Sequence, residues 1–179
     1  YLKPDKNGDV AVSQVEDALR EDTALVTMML VNNETGCIFP VGEVARLLKA
    51  KGSCALLHTD AVQGFLKLPF RADTLGADLI SISGHKVGAP KGIGGLYIGG
   101  RVRAPQPLIL GGGQERGLRS GTEATGQIAG FAKAVALRAG HLDDTLARMA
   151  AVKAYAEEKL LALDGVVRIG GGQAPHILS

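Results

Sequence analysis

Tryptophan is absent from this chain, and aromatic residues make up only 4% of its 179 positions, so the core must be built from aliphatic side chains. An excess of one charge is missing too: 20 basic against 18 acidic residues leave +2, which offers no footprint for nucleic acid. No apolar run reaches the roughly 20 residues that a bilayer demands, and no signal peptide is visible, so no membrane partner is expected. Cysteine is scarce: Cys37 and Cys54 stand alone, neither at a metal-ligand spacing, and no metal is expected. So few thiols in a long chain suit a reducing compartment, and a cytoplasmic location is the expectation.

What is present is a globular composition, with 46% hydrophobic residues, enough for a domain with a real core. The chain opens Tyr1-Leu2-Lys3 without an initiator Met. It closes on Pro175-His176-Ile177-Leu178-Ser179, where an apolar strand is expected to begin. It reads as the middle of a longer protein.

Hydrophobic patterning divides the chain. Val10 to Leu19 has helical spacing, with Ser13 as an N-cap candidate. Ala24 to Val31 is a continuous apolar run, as a buried parallel strand requires. A loop, Asn32 to Gly36, follows, then a helix from Val41 to Lys51 closed by Gly52. Short strands are expected at Ala55 to His58, Asp78 to Ile82 and Gly95 to Ile98. A long helical stretch runs from Thr125 to Leu163, interrupted near Gly140. Val166 to Ile169 is strand-like, and Gly170 to Gly172 forms a link. Strands alternating with helices argue a mostly parallel α/β sheet, and such sheets bind ligands at the carboxyl ends of their strands. Three polar clusters fall at those ends: Asn32-Asn33, Asp60 to Gln63, and Ser83 to Lys86.

The third cluster carries the most chemistry. The strand delivers Ser83-Gly84-His85-Lys86 into a turn ending Pro90-Lys91-Gly92-Ile93-Gly94. A lysine amine can condense with an aldehyde while a hydroxyl and an imidazole grip a phosphate, and pyridoxal 5'-phosphate has both groups. Alone, Lys86 would be a solvated turn lysine; Ser83, His85 and the Gly/Pro-rich turn argue for the nucleophile. Lys91 reads as a turn or rim residue. Asp60 suits a pyridine nitrogen, which its charge would keep protonated, or else caps the next segment. Gln63 could reach a ring hydroxyl. Asn33 could serve the ring or a substrate carboxylate, or simply shape an Asn-Glu-Thr-Gly turn. His58 shares the strand face of Asp60 and reads as a core histidine or a wall of the site. Thr122 adds a hydroxyl. Arg116 and Arg119 are carboxylate or phosphate binders, or loop ion-pair partners. Cys37 and Cys54 read as small apolar fillers.

Five motifs in order carry a family resemblance: Val31 to Gly36 (VNNETG), His58 to Gln63 (HTDAVQ), Ser81 to Lys86 (SISGHK), Pro90 to Gly94 (PKGIG) and Gly111 to Thr122 (GGGQERGLRSGT). Together they resemble cysteine desulfurases of the NifS/IscS type, within the class V aminotransferases. The resemblance implies the large domain of the fold type I transferases that bind pyridoxal 5'-phosphate. That is a three-layer α/β fold, a mostly parallel sheet with helices on both faces, here incomplete. It implies that residues 1–139 are part of that domain, and that 140–179 hold a long helix and the start of a small C-terminal domain. It implies that Lys86 holds the cofactor covalently, Asp60 meets the pyridine nitrogen, Gln63 and Asn33 contact the ring side, and Ser83 and His85 serve the phosphate. Thr122 would reach the phosphate in a partner subunit, so a homodimer is implied.

The implied reaction turns L-cysteine into L-alanine and hands on sulfur as a persulfide, to an acceptor such as an iron–sulfur scaffold. The family's mobile cysteine belongs to a C-terminal region, and neither Cys37 nor Cys54 sits in its motif. This piece alone is therefore expected to be inactive. The rival readings are another class V enzyme, such as a selenocysteine lyase or an aminotransferase, and a non-catalytic module of the same fold. A nicotinamide-binding domain is disfavoured, since no G-x-G-x-x-G follows the first strand.

Overall fold

In the computed structural model, which describes residues 1–103 and 105–179, four strands form one sheet in the order β1-β2-β3-β4. They are β1 (Leu25–Met29), β2 (Leu56–Asp60), β3 (Leu79–Ser83) and β4 (Gly94–Ile98). The first three run parallel; β4 returns antiparallel along β3. Helix α1 (Val12–Ala18) precedes the sheet, α2 (Val41–Ala50) and α3 (Ala72–Leu75) lie in the β1–β2 and β2–β3 connections, and α4 (Thr125–Ala139) and α5 (Leu142–Leu161) follow the sheet. The expected α/β architecture with a mostly parallel sheet is present.

The core is aliphatic, as the lack of aromatics required. Leu57 and Ile80 point to one face of the sheet and join Val41, Val44 and Leu48 of α2 in one buried cluster. Val41, Val44 and Leu48 recur at helical spacing, so one stripe of α2 is buried. Each contributes about 1.5–3 kcal/mol of apolar burial. Period-two alternation sends Thr27, His58, Asp60, Ser81 and Ser83 to the opposite face. That face carries these polar side chains toward the carboxyl ends of the strands.

Several local expectations need correction. Ser13 lies inside α1; the N-terminal amide of Ala11 is capped instead by Gln14 Oε1 at 2.9 Å. A side chain three residues into the helix reaches back, so no Ser cap is needed. Residues 166–169 form no strand; Ile169 N–H makes one bond, to Ser179 O at 2.9 Å. Residues 175–179 form no strand either. The tail instead turns back on the loop after β1: Ala174 N–H bonds Gly36 O at 2.9 Å, and Gln173 Oε1 accepts from Ile38 N–H at 3.1 Å. The break near Gly140 is real, since it separates α4 from α5. Among the described residues no helix is long and apolar enough to cross a membrane.

Candidate active site

The sheet register sets the geometry. Asp60 ends β2 and pairs with Met29 on one side and Ser81 on the other. Ser83 ends β3 two residues beyond Ser81, on the same face. Three carboxyl ends of parallel strands therefore meet at one rim, where α/β sheets hold ligands.

Beneath the rim runs a hydrogen-bonded row. His58 Nδ1 bonds Thr27 Oγ1 at 2.7 Å, and His58 Nε2 bonds Ser81 Oγ at 2.9 Å. Both ring nitrogens are engaged, so His58 ties β1, β2 and β3 together just below Asp60. Asp60 itself is exposed. Its Oδ1 accepts from Val62 N–H at 2.9 Å and anchors the next turn. The capping and the ligand readings are thus compatible, because the second carboxylate oxygen has no partner among the described residues.

Lys86 follows at the end of β3. Gly84 to Val87 form a 3₁₀ turn that puts His85 and Lys86 on the surface. Glycine is required at 84: a Cβ there would lie 2.8 Å from Ile93 Cγ2. Gly88 closes the turn at φ 90°, a conformation that disfavours any side chain. Helix α4 braces the turn; Gln127 Nε2 donates to Lys91 O at 3.2 Å. Ser83 Oγ bonds His85 Nδ1 at 2.8 Å, so hydroxyl and imidazole act as a pair.

Other expected residues are placed less centrally. Asn32, not Asn33, shapes the turn after β1: its Oδ1 accepts from the amides of Glu34 and Thr35, both at 2.9 Å. Asn33 is exposed beside it. Thr122 is exposed in the loop before α4. Among the described residues Arg116 and Arg119 form no ion pair; Arg119 donates to Ser120 O at 2.6 Å. The Gly-rich loop does carry unusual backbone, with Glu115 at φ 48° and Arg116 at φ 58°. Cys37 is fully buried and its thiol donates to Asn7 O at 3.2 Å. Cys54 is exposed, so the filler reading holds for Cys37 alone.

The sequence reading missed Lys67 and His176. Lys67 is only 6% exposed, and its ammonium donates to Gln63 Oε1 at 3.0 Å. Burial, then the charges of Arg138 and Lys86, push its pKa down to about 8. Burial, then Lys67, Lys153 and Arg138, push His176 down to about 4. A signal for Lys67 existed: it is one lysine inside the apolar run Phe65 to Phe70, four residues after Gln63.

The rim therefore offers an amine, a carboxylate, a carboxamide and a hydroxyl–imidazole pair. This donor set fits a ligand with an aldehyde, a basic ring nitrogen, a ring hydroxyl and a phosphate. Comparison with known proteins gives the same direction. Residues 1–179 match the aminotransferase class-V family. A cysteine desulfurase of Nostoc sp. (strain PCC 7120 / SAG 25.82 / UTEX 2576) is 42% identical over 162 residues, covering 90% of this chain and 40% of the relative. A solved NifS-like protein superposes with a TM-score of 0.89 at 40% identity, over 97% of this chain and 47% of the other. SspA, solved in complex with cysteine, has a TM-score of 0.69 at 42% identity, over 75% of this chain and 39% of its own. The chain thus spans about two-fifths of the length of the curated relative.

Proposed function

The chain belongs to the class-V aminotransferase family, and we propose that it forms the lysine-bearing part of a pyridoxal 5'-phosphate site in a cysteine desulfurase. The observation that carries this is the convergence of Asp60, Ser83, His85 and Lys86 at the carboxyl ends of two paired strands. Such a group supplies, when bound, an aldehyde that captures amines and a ring that accepts electrons from an amino acid's α-carbon.

Each residue then has a task. Lys86 Nζ would hold the cofactor through its aldehyde carbon and would move a proton at the substrate α-carbon. Asp60, one oxygen of which accepts from Val62 N–H, would keep a proton on the ring nitrogen. Gln63 and Asn33 orient the ring side. The Ser83–His85 pair binds the phosphate end, and Thr122 serves the site of a second copy in a homodimer.

L-cysteine is the substrate this reading assigns, with L-alanine as product and sulfur passed on to an acceptor protein. The thiol that takes the sulfur is neither cysteine described here. Cys37 is sealed in the core. Cys54 precedes β2, six residues from Asp60 and so roughly 20 Å from the rim at about 3.3 Å per extended residue.

The test is chemical. The protein is mixed with pyridoxal 5'-phosphate, reduced with borohydride and mapped by mass spectrometry. A pyridoxyl group on Lys86, lost in Lys86→Ala, supports the reading. Labelling spread over surface lysines, or retained in Lys86→Ala, overturns it. Formation of alanine from L-cysteine by the full-length protein, with sulfide released from the persulfide by an added dithiol reductant, tests the substrate.

A further inference from the structure

Lys67 has no role in the site as drawn, yet its environment is costly. It follows Leu66, whose φ of 52° is strained for a branched side chain. That left-handed residue sits inside a hydrogen-bonded turn: Phe65 N–H bonds Ala61 O at 2.7 Å, and Leu68 N–H bonds Gly64 O at 2.9 Å. The Phe65 ring packs edge-on against Phe131 of α4, with centroids 6.4 Å apart. Turn and helix together hold the Lys67 side chain inward. Among the described residues no carboxylate pairs with it; the charges acting on it are the cations Arg138 and Lys86, with His176 also in range.

Among the described residues the ammonium's hydrogen-bond partner is the Gln63 amide. An ammonium only donates, so the atom it meets is the carbonyl oxygen, and the NH2 group is the end left for a ligand. A free glutamine could present either end. This one can present only its donor.

The geometry points to Lys67 as a positioning residue that fixes the Gln63 carboxamide as a donor to the cofactor's ring oxygen. This rests on the pyridoxal 5'-phosphate reading above. It gives the strained turn and the buried cation beside the site a purpose: the interaction is with an orientation rather than with the ligand.

The test uses the full-length protein and the variants Lys67→Met, Lys67→Arg, Gln63→Ala and the Lys67→Met/Gln63→Ala pair. The dissociation constant for pyridoxal 5'-phosphate is measured on cofactor-free protein, together with the visible spectrum after loading. Losing one charge-assisted bond that orients the donor should weaken binding roughly tenfold in Lys67→Met. Lys67→Arg should restore it, and Lys67→Met should change nothing further once Gln63 is alanine. Additive losses in the pair, wild-type binding by Lys67→Met, or no rescue by Arg would overturn the proposal.

One measurement needs no Lys67 variant, in case Lys67→Met does not fold. In cofactor-free protein with Lys86 intact, the Gln63 side-chain amide resonance should move with a midpoint near pH 8, where Lys67 loses its proton. A resonance flat across that range sinks the coupling. If instead the wild-type pyridoxyl group does not map to Lys86, the functional reading fails, whatever the Lys67 variants do.

Discussion

Replacing Asp78 should separate a hydrogen-bond role from a charge role at the seam on which the site depends. The Asp78 carboxylate is buried at the start of β3, and its Oδ2 accepts from Leu57 N–H at 2.8 Å. The same oxygen meets Arg101 Nη1 at 3.1 Å, while Arg101 Nη2 donates to Ala55 O at 3.2 Å. Asp78→Ala leaves the Leu57 amide without an acceptor, which costs about 1–3 kcal/mol. The ion pair adds at most about 1 kcal/mol, because the guanidinium is half-exposed. The sum is about 1–4 kcal/mol. Asp78→Asn keeps an acceptor oxygen and should cost only about 1 kcal/mol. Urea unfolding followed by far-ultraviolet circular dichroism measures both, since tryptophan fluorescence is not an option in this chain. The consequence for the site is specific: β2 and β3 set the Asp60–Ser81 register, so Asp78→Ala should also lower pyridoxyl labelling of Lys86. Equal losses for Ala and Asn, or a loss below about 1 kcal/mol for Ala, would refute the assignment of the Leu57 amide as the dominant partner.

Acid should weaken the fold through His176, whose two ring nitrogens are buried without partners among the described residues. Its folded pKa of about 4 lies below the model-peptide 6.5, so the unfolded chain takes up the proton first. Stability is whole above about pH 6.5 and is lost as pH falls toward 4, by up to about 3 kcal/mol. His176→Gln should lack that loss, and wild-type and variant melting curves that keep a constant offset from pH 7 to 4 would rule it out. Gly84→Ala should destabilise by about 1–3 kcal/mol by overpacking. The new Cβ meets Ile93 Cγ2 at 2.8 Å and Ile93 O at 3.1 Å. It should also reduce borohydride-trapped label on Lys86, because Gly84 opens the turn that carries it; full labelling in a destabilised Gly84→Ala protein would show that the turn tolerates the shift.

The parts legible in the sequence were those whose cause is local. Apolar runs gave the three parallel strands to within a few residues, and Gly52 closed α2 with φ 61° as expected of a helix end. Polar clusters after those runs located the rim, because strand ends in parallel sheets expose whatever residue comes next. What failed was decided by contacts distant in sequence. Val166 to Ile169 has strand composition, but no neighbouring strand offers it a ladder, and composition without a partner makes no strand. Ser13 lost the cap to Gln14 because the chain entered the helix two residues earlier than the Ser side chain could serve.

Lys67 illustrates the deeper limit. A lysine among Phe65, Leu66, Leu68 and Phe70 breaks the local pattern, and the ordinary reading is a stem lying on the surface with its amine in water. The fold inverts this, because Leu66 takes a left-handed conformation and Phe65 locks onto α4 some 66 residues later in the chain. No window around residue 67 contains Phe131 or Arg138. A local rule is broken here at a cost of roughly 1–3 kcal/mol for the backbone alone. Broken local rules of this kind are expected where physical consistency yields to function, which is the reason the amine at 67 is tested beside the one at 86.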